Sequence, residues 1–324
     1  MALAASLVAT SALAVGRAEL TPSARQSIDK GLAYLAQTQR SNGSWPSSYG
    51  KTTGIVGSCA LAFMSAGHTP NRGKYSRNVS KALNFLLEKS QPSGLVYESG
   101  MSGHPMYHHG LATLALAEAW GESWDSRMRD KLKRAIELII RTQNAKGGWR
   151  YFPRVYDADI SVTVMMLLAL RAAKDAGMNV PKSVIDSGIE YIKNCSNPDG
   201  GFNYTGSGTS NFSRTGAGVL SLQVCGDYKA REVQKGIDYI LKQKGKKISQ
   251  WYYYGVYYSS QGVYQWGGQA WEEWYPFIRQ DLINRQNSNR QKDGSWPRQY
   301  DQYSSAMAIL VLAIPYRYLP IYQR

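Results

Sequence analysis

One supersecondary unit recurs along this chain, and self-similarity at a fixed period constrains a fold more than any single motif does. The first copy reads "SIDKGLAYLAQTQRSNGSWPSSYGKTTGIVGSCALAFMSAGH" (27–68): an amphipathic helix, a Gln, a Gly-x-Trp turn, then a small-residue helix ending at Gly. It returns as "VSKALNFLLEKSQPSGLVYESG…HHGLATLALAEAWG", as "LKRAIELIIRTQNAKGGWRY…DISVTVMMLLALRAAKDAG" and as "VIDSGIEYIKNCSNPDGGFNY…RTGAGVLSLQVCG". A fifth copy begins "VQKGIDYILKQKG", and a sixth runs "FIRQDLINRQNSNRQKDGSWP…YSSAMAILVLAIP". The expected turn anchors are Trp45, Tyr97, Trp149, Phe202, a degenerate Trp251, and Trp296.

The two helices of a unit differ in kind. In the first, apolar residues at helical spacing alternate with charge, as Ile136, Leu138, Ile139 and Ile140 do with Lys133, Arg134, Glu137 and Arg141. That is an outer, half-exposed helix. The second, such as "GLATLALAEAW" or "VMMLLALRAA", is apolar or small on nearly all sides and must be buried on more than one face. Stacking six such pairs buries a continuous core, and closing the stack removes its exposed ends. The expected fold is all-α, an (α/α)6 toroid of six helix-pair repeats.

The turn between the helices has a physical logic. Glycine accepts the left-handed backbone that ends a helix. The aromatic ring plugs the gap between neighbouring pairs, burying on the order of 200 Å². Gln39, Gln143 and Gln286 can hydrogen-bond backbone groups left open at adjacent helix ends. These are structural roles.

At 324 residues the chain needs no disulfide or metal staple for its core. Cys59, Cys195 and Cys225 are widely spaced in or beside apolar helical stretches and read as buried free thiols. The net charge of +15 comes mostly from bases interspersed along helices, as in "RMRDKLKRAIELIIRTQ", with one cluster at "KQKGKK" (242–247). A solvated outer face is the expectation, with no nucleic-acid partner and no transmembrane segment. Residues 1–18, with a short apolar core before Ala12-Leu13-Ala14, read as a signal peptide, so residues 19–324 form a single domain in an exported protein, periplasmic or extracellular; otherwise the chain is cytoplasmic.

The Gln…Gly-x-Trp repeats resemble the QW motifs of squalene-hopene and oxidosqualene cyclases, and more broadly the prenyltransferase/squalene-oxidase repeat family, over roughly residues 25 to 320. The resemblance implies that loops entering the inner helices ring the mouth of a central cavity. His108 and His109, Asp157 and Asp159, Arg214, Tyr253 to Tyr258, and Asp301 fall there. Class II terpene cyclases open an inner helix with Asp-x-Asp-Asp, whose middle Asp protonates an alkene or epoxide. Asp157-Ala158-Asp159-Ile160 places Asp159 at the acid position, with Ile160 where the last Asp would stand. Those cyclases enclose substrate between two toroid-type domains, and this chain has room for one. The same Asp159 is also the expected N-cap of "ISVTVMMLLAL".

Protein prenyltransferase β-subunits share the implied fold and bind zinc through Asp-x-Cys plus His. Here Gly57, Lys193 and Gln223 precede the cysteines by two, so that site is missing, as is the Gly-Cys-Gly-Glu-Gln thioester signature of complement-type toroids. No metal site or cofactor is expected; a site of His108, His109 and the aspartates is the weaker alternative.

Repeat five departs from the pattern as "QWYYYGVYYSSQGVYQWGGQAWEEWYPF" (250–277). In a helix from about Tyr252 to Trp266, Tyr253, Tyr257 and Tyr264 fall near one face with Tyr254 and Tyr258 beside them. Such rings can stabilise carbocations, bind isoprenoid chains or sugars, or simply fill the centre. The candidate catalytic residues are therefore Asp159 and Asp157. Candidate substrate contacts are His108, His109, Arg214, Tyr253, Tyr257, Tyr264 and Trp266. The expected function is isoprenoid or terpenoid handling with an apolar small-molecule partner; a non-catalytic ligand-binding or scaffold toroid, and an exported carbohydrate-active toroid with Asp301 as second carboxylate, remain open.

Overall fold

A computed structural model of the chain describes residues 19–46, 52–98, 103–121, 125–246, 248, 251–289, 293–297 and 301–323. Among them the regular elements are helical. Six outer helices alternate with six inner ones: α1 (Pro22–Thr38), α3 (Ser76–Glu88), α5 (Ser126–Arg141), α7 (Lys182–Asn194), α9 (Arg231–Leu241) and α11 (Gly268–Arg285) lie outside; α2 (Thr53–Ser65), α4 (Pro105–Trp120), α6 (Ile160–Asp175), α8 (Phe212–Val224), α10 (Tyr252–Trp266) and α12 (Asp301–Leu312) lie inside. Each inner helix packs on the next, and α12 packs back on α2 and α1. The chain thus closes into the expected (α/α)6 toroid. The signal-peptide expectation falls on residues 1–18, outside the described residues.

Burial follows the two patterns. On α5, Met128, Leu132, Ala135, Ile136, Leu138 and Ile139 are buried while the bases face out. All of α2 and nearly all of α6 are buried. Each enclosed Leu, Ile or Met contributes roughly 1.5–3 kcal/mol.

The turns show what the Gln, Gly and Trp do. Trp45, Trp149 and Trp296 each donate an indole N–H to a carbonyl of their own outer helix, Leu35, Ile139 and Leu282, at 2.7 Å. The glutamines reach onward to the next repeat: Gln39 to Asn78 O, Gln143 to Val184 O, and Gln286 to Ser27 O, which joins the last repeat to the first. Gly147, with φ +88°, lies so close to α7 that an added Cβ would stand 2.0 Å from Ser187 O.

Two anchors differ from expectation. In repeat two the plug two residues after the turn glycine is the fully buried Val96, and Tyr97 is only half-buried. Trp251 is 65% exposed in a left-handed conformation and plugs nothing. Cys59 and Cys195 are buried free thiols, and Cys225 is half-buried. After α12, Ile314–Tyr316 and Pro320–Tyr322 form short 3-10 turns, and Gln265 holds Tyr322 O at 2.7 Å, covering the end of the ring away from the inner-helix starts. No helix among the described residues is long and apolar enough to cross a membrane.

Candidate functional site

The connection from α5 to α6 builds the site. Asp159 N–H donates to Trp149 O at 3.0 Å, pinching the loop at its base. Met106 N–H holds Tyr151 O, and Ile160 N–H holds Tyr204 O, so the loop is tied to α4 on one side and to the loop before α8 on the other. Asp159 is carried inward by these bonds and is fully buried, whereas Asp157 stays exposed.

The two oxygens of Asp159 differ. Oδ1 accepts the Val162 N–H at 3.0 Å, which makes it the N-cap of α6. Oδ2 is buried without a hydrogen-bond partner, with Arg150 Nε 3.7 Å away. Burial pushes the carboxyl up to about 6, against the pull of the Val162 N–H, the Tyr204 hydroxyl, the Ser161 N–H and the Arg150 charge. One oxygen caps α6 while the other is buried without a hydrogen-bond partner.

Phenols surround it from several elements. Its charge is felt by Tyr107 at the start of α4, Tyr204 before α8, Tyr191 on α7 and Tyr254 on α10. Tyr258 lies one turn below Tyr254, with ring centroids 4.5 Å apart, and its environment includes Tyr107 and Tyr303 of α12. Burial raises all of these hydroxyls, yet Tyr107, Tyr254 and Tyr303 keep part of their surface open. These side chains are enclosed by protein without all being fully buried. Toward the surface Tyr151 and Tyr204 share a hydroxyl hydrogen bond, His104 stacks on Tyr151 at 3.7 Å, and the Arg150 and Arg214 guanidinia each lie 5.9 Å from the Tyr204 ring.

The remaining sequence candidates scatter. His108 is half-buried 5.8 Å from the Tyr97 ring, and burial lowers it to about 4. His109 is fully buried: Nδ1 accepts Val96 N–H at 3.1 Å and Nε2 faces Ala135 O at 3.3 Å, so both nitrogens knit repeats together. Arg214 donates to Thr209 O at 2.9 Å at the rim. Tyr253 donates to Pro297 O, and Tyr257 bonds Tyr322 at the covered end of the ring. Tyr264 meets Trp271 and Arg317, and Trp266 ends α10, at the far end of the ring. The α10 residue near Asp159 is Tyr254 instead, with Tyr258 packed against it. Asp301 opens α12. Among the described residues no three His, Cys, Asp or Glu side chains gather as a metal site.

Sequence reasoning missed Tyr107, Arg150, Ser161, Tyr204 and Tyr303. Tyr107, Ser161 and Tyr303 obey the same rule that selected His108, proximity to an inner-helix start, and Arg150 directly follows a turn anchor.

Residues 111–266, which include both aspartates, match the family model described as the squalene-hopene cyclase C-terminal domain. Over those residues the chain is squalene-hopene cyclase-like. This cyclase-like chain is 25% identical over 180 residues to drimenyl diphosphate synthase from Streptomyces showdoensis, covering 55% of this chain and 32% of that one. It therefore spans about a third of that relative's length. A type II terpene cyclase from Scytonema, solved in complex with geranylgeranyl dihydroxybenzoate, superposes with TM-score 0.63 at 12% identity, covering 92% of this chain and 98% of that one. Cellobiose 2-epimerase from Spirochaeta thermophila superposes with TM-score 0.70 at 11% identity, covering 96% and 98%. At these identities the solved structures show the toroid alone.

Proposed function

We propose that this chain handles an isoprenoid or terpenoid substrate by the chemistry of class II terpene cyclases, with Asp159 as the proton donor. The observation that carries the reading is the buried Oδ2 of Asp159, left without a hydrogen-bond partner among a cluster of tyrosines. A carboxyl kept neutral by burial can give its proton to an alkene carbon. The O–H bond breaks, a C–H bond forms, Asp159 is left as carboxylate, and the adjacent carbon becomes a cation. The rings of Tyr107, Tyr254, Tyr258 and Tyr303 then face that cation, each such contact being worth on the order of 0.5–2 kcal/mol. Loss of a proton from the cation ends the reaction. His108 and Arg214 serve at the rim; Asp157 does not donate.

The sign of the pH dependence follows from the acid's role. Asp159 must be protonated to act, so turnover is full below about pH 6 and falls roughly tenfold per unit above it. Incubation with squalene and with prenyl diphosphates tests the reading. Wild type should yield cyclised product, and Asp159→Asn should lose at least about a hundredfold in rate. Product formation that survives the substitution removes Asp159 from the role.

One observation favours a second reading, a non-catalytic binding toroid: Ile160 leaves Asp159 without the second carboxylate of the motif. Retained ligand binding without turnover in wild type would select it.

A further inference from the structure

The Arg150 guanidinium stands between two carboxylates of unequal burial. Its Nη1 donates to Asp157 Oδ2 at 2.8 Å, and the Asp157 side chain is 58% exposed. Its Nε faces the fully buried Asp159 Oδ2 at 3.7 Å, outside hydrogen-bond reach, and both of those atoms are buried without another partner. A guanidinium is a rigid fork suited to giving two parallel hydrogen bonds to one carboxylate. The buried carboxylate is the electrostatically stronger partner, because solvent screens the exposed one. Something holds the fork back. The Tyr151 ring, 4.9 Å from the guanidinium carbon, and the Tyr204 ring at 5.9 Å fix its plane, and Asp157 draws it outward.

We propose that Asp157 is a positioning residue that tethers Arg150 away from Asp159, so that the Asp159 carboxyl is left uncharged with its Oδ2 free to deliver a proton. The inference rests on the reading of Asp159 as the acid. It gives the two aspartates opposite tasks: one takes up the arginine so that the other need not. The other titratable groups facing Asp159 are Tyr107 from α4, Tyr191 from α7, Cys195 just after α7, Tyr204 from the loop before α8 and Tyr254 from α10. Burial pushes each of them up and keeps it neutral in the working range. Arg214, which bears on Cys195 from α8, is turned to Thr209 O. The cation nearest Asp159 is therefore Arg150, acting against the burial that raises the carboxyl.

The test needs no substrate. The carboxyl carbon of Asp159 is followed by NMR in protein labelled at aspartate Cγ, its signal assigned by its loss in Asp159→Asn. Wild type, Asp157→Asn and Asp157→Asn/Arg150→Gln are titrated. The tether predicts that Asp157→Asn lowers the Asp159 midpoint by at least one unit, and that the double variant restores it to the wild-type value or above. An unchanged midpoint in Asp157→Asn, or a fall that persists without Arg150, overturns the proposal. Asp157 is exposed, so its variant should fold; the Arg150→Gln single variant, with a midpoint at or above wild type, reads the same coupling from the other side, and a fall there overturns it. The midpoints report on the tether whether or not the chain turns over an isoprenoid, and turnover assays report separately on the acid.

Discussion

Asp159 and Glu118 are two buried carboxyls at opposite ends of the inner ring, and they make different demands on the fold. Glu118, near the end of α4, is pushed up to about 8 by burial, against the pull of Ile321 N–H. Between the unfolded value of 4.5 and about pH 8 the unfolded chain releases this proton while the folded chain keeps it. The contribution to stability is thus complete below pH 4.5 and declines as pH rises to about 8, by a few kcal/mol at most. Glu118→Gln should leave the melting temperature unchanged at pH 4 and raise it at pH 8, by thermal denaturation at both. Asp159→Asn should behave differently from an ordinary cap deletion. Asn caps a helix as well as Asp does, so the fold should hold while the acid is lost. Position in the chain marked Asp159 as cap and candidate acid, but it could not show that one oxygen makes the cap and the other is left buried without a hydrogen-bond partner. Nor could it show that Arg150 divides itself between two aspartates, because that depends on how a ten-residue loop is pinned at Trp149 O, Met106 and Tyr204.

At the scale of the helix pair, the repeat was readable because its parts answer to local chemistry. Gln143 donates to Gly147 O at 2.8 Å and Val184 O at 2.9 Å, the bonding expected of a Gln beside open helix ends. The crowding at Gly147 separates two effects of glycine. Gly147 and Gly177 both have positive φ, but only Gly147 abuts backbone, at Ser187, while an added Cβ at Gly177 meets nothing within 4 Å. Gly177→Ala should therefore cost about 1 kcal/mol of backbone strain, and Gly147→Ala several kcal/mol more, measured as loss in urea midpoint. What could not be read was helical phase. α10 carries tyrosines on every side, so no amphipathic stripe reveals which ones face the axis, and it is Tyr254, rather than Tyr253, Tyr257 or Tyr264, that lies near Asp159, with Tyr258 beside it. The Val96 anchor was hidden for a related reason: an aliphatic plug beside Tyr97 lacks the aromatic signal by which the other turns were found.

At the scale of the molecule, closure decides how the repeats behave. In an open stack each repeat contacts only its neighbours and the ends fray. Here Gln286 bonds Ser27 O at 2.8 Å, Gly294 lies against Lys30 O, and α12 packs on α1 and α2. Gln286→Ala should weaken this seam by about 1–3 kcal/mol, and hydrogen exchange should quicken in α1 and α12 together, because each is the other's neighbour. Change confined to α12 would show that the ring does not act as one. Closure also brings the starts of the inner helices together, so that Tyr107 and Tyr254 lie near Asp159 and Tyr258 and Tyr303 lie near Tyr254. That convergence is tested most directly by running the reaction in D2O at pH 5.5 with squalene and with farnesyl diphosphate, and weighing the products. A donor carboxyl that exchanges with solvent predicts a cyclised product carrying one deuterium with wild type and none formed with Asp159→Asn. Deuterated product formed equally by both proteins, or cyclised product without deuterium, would contradict the assignment of Asp159 as the acid.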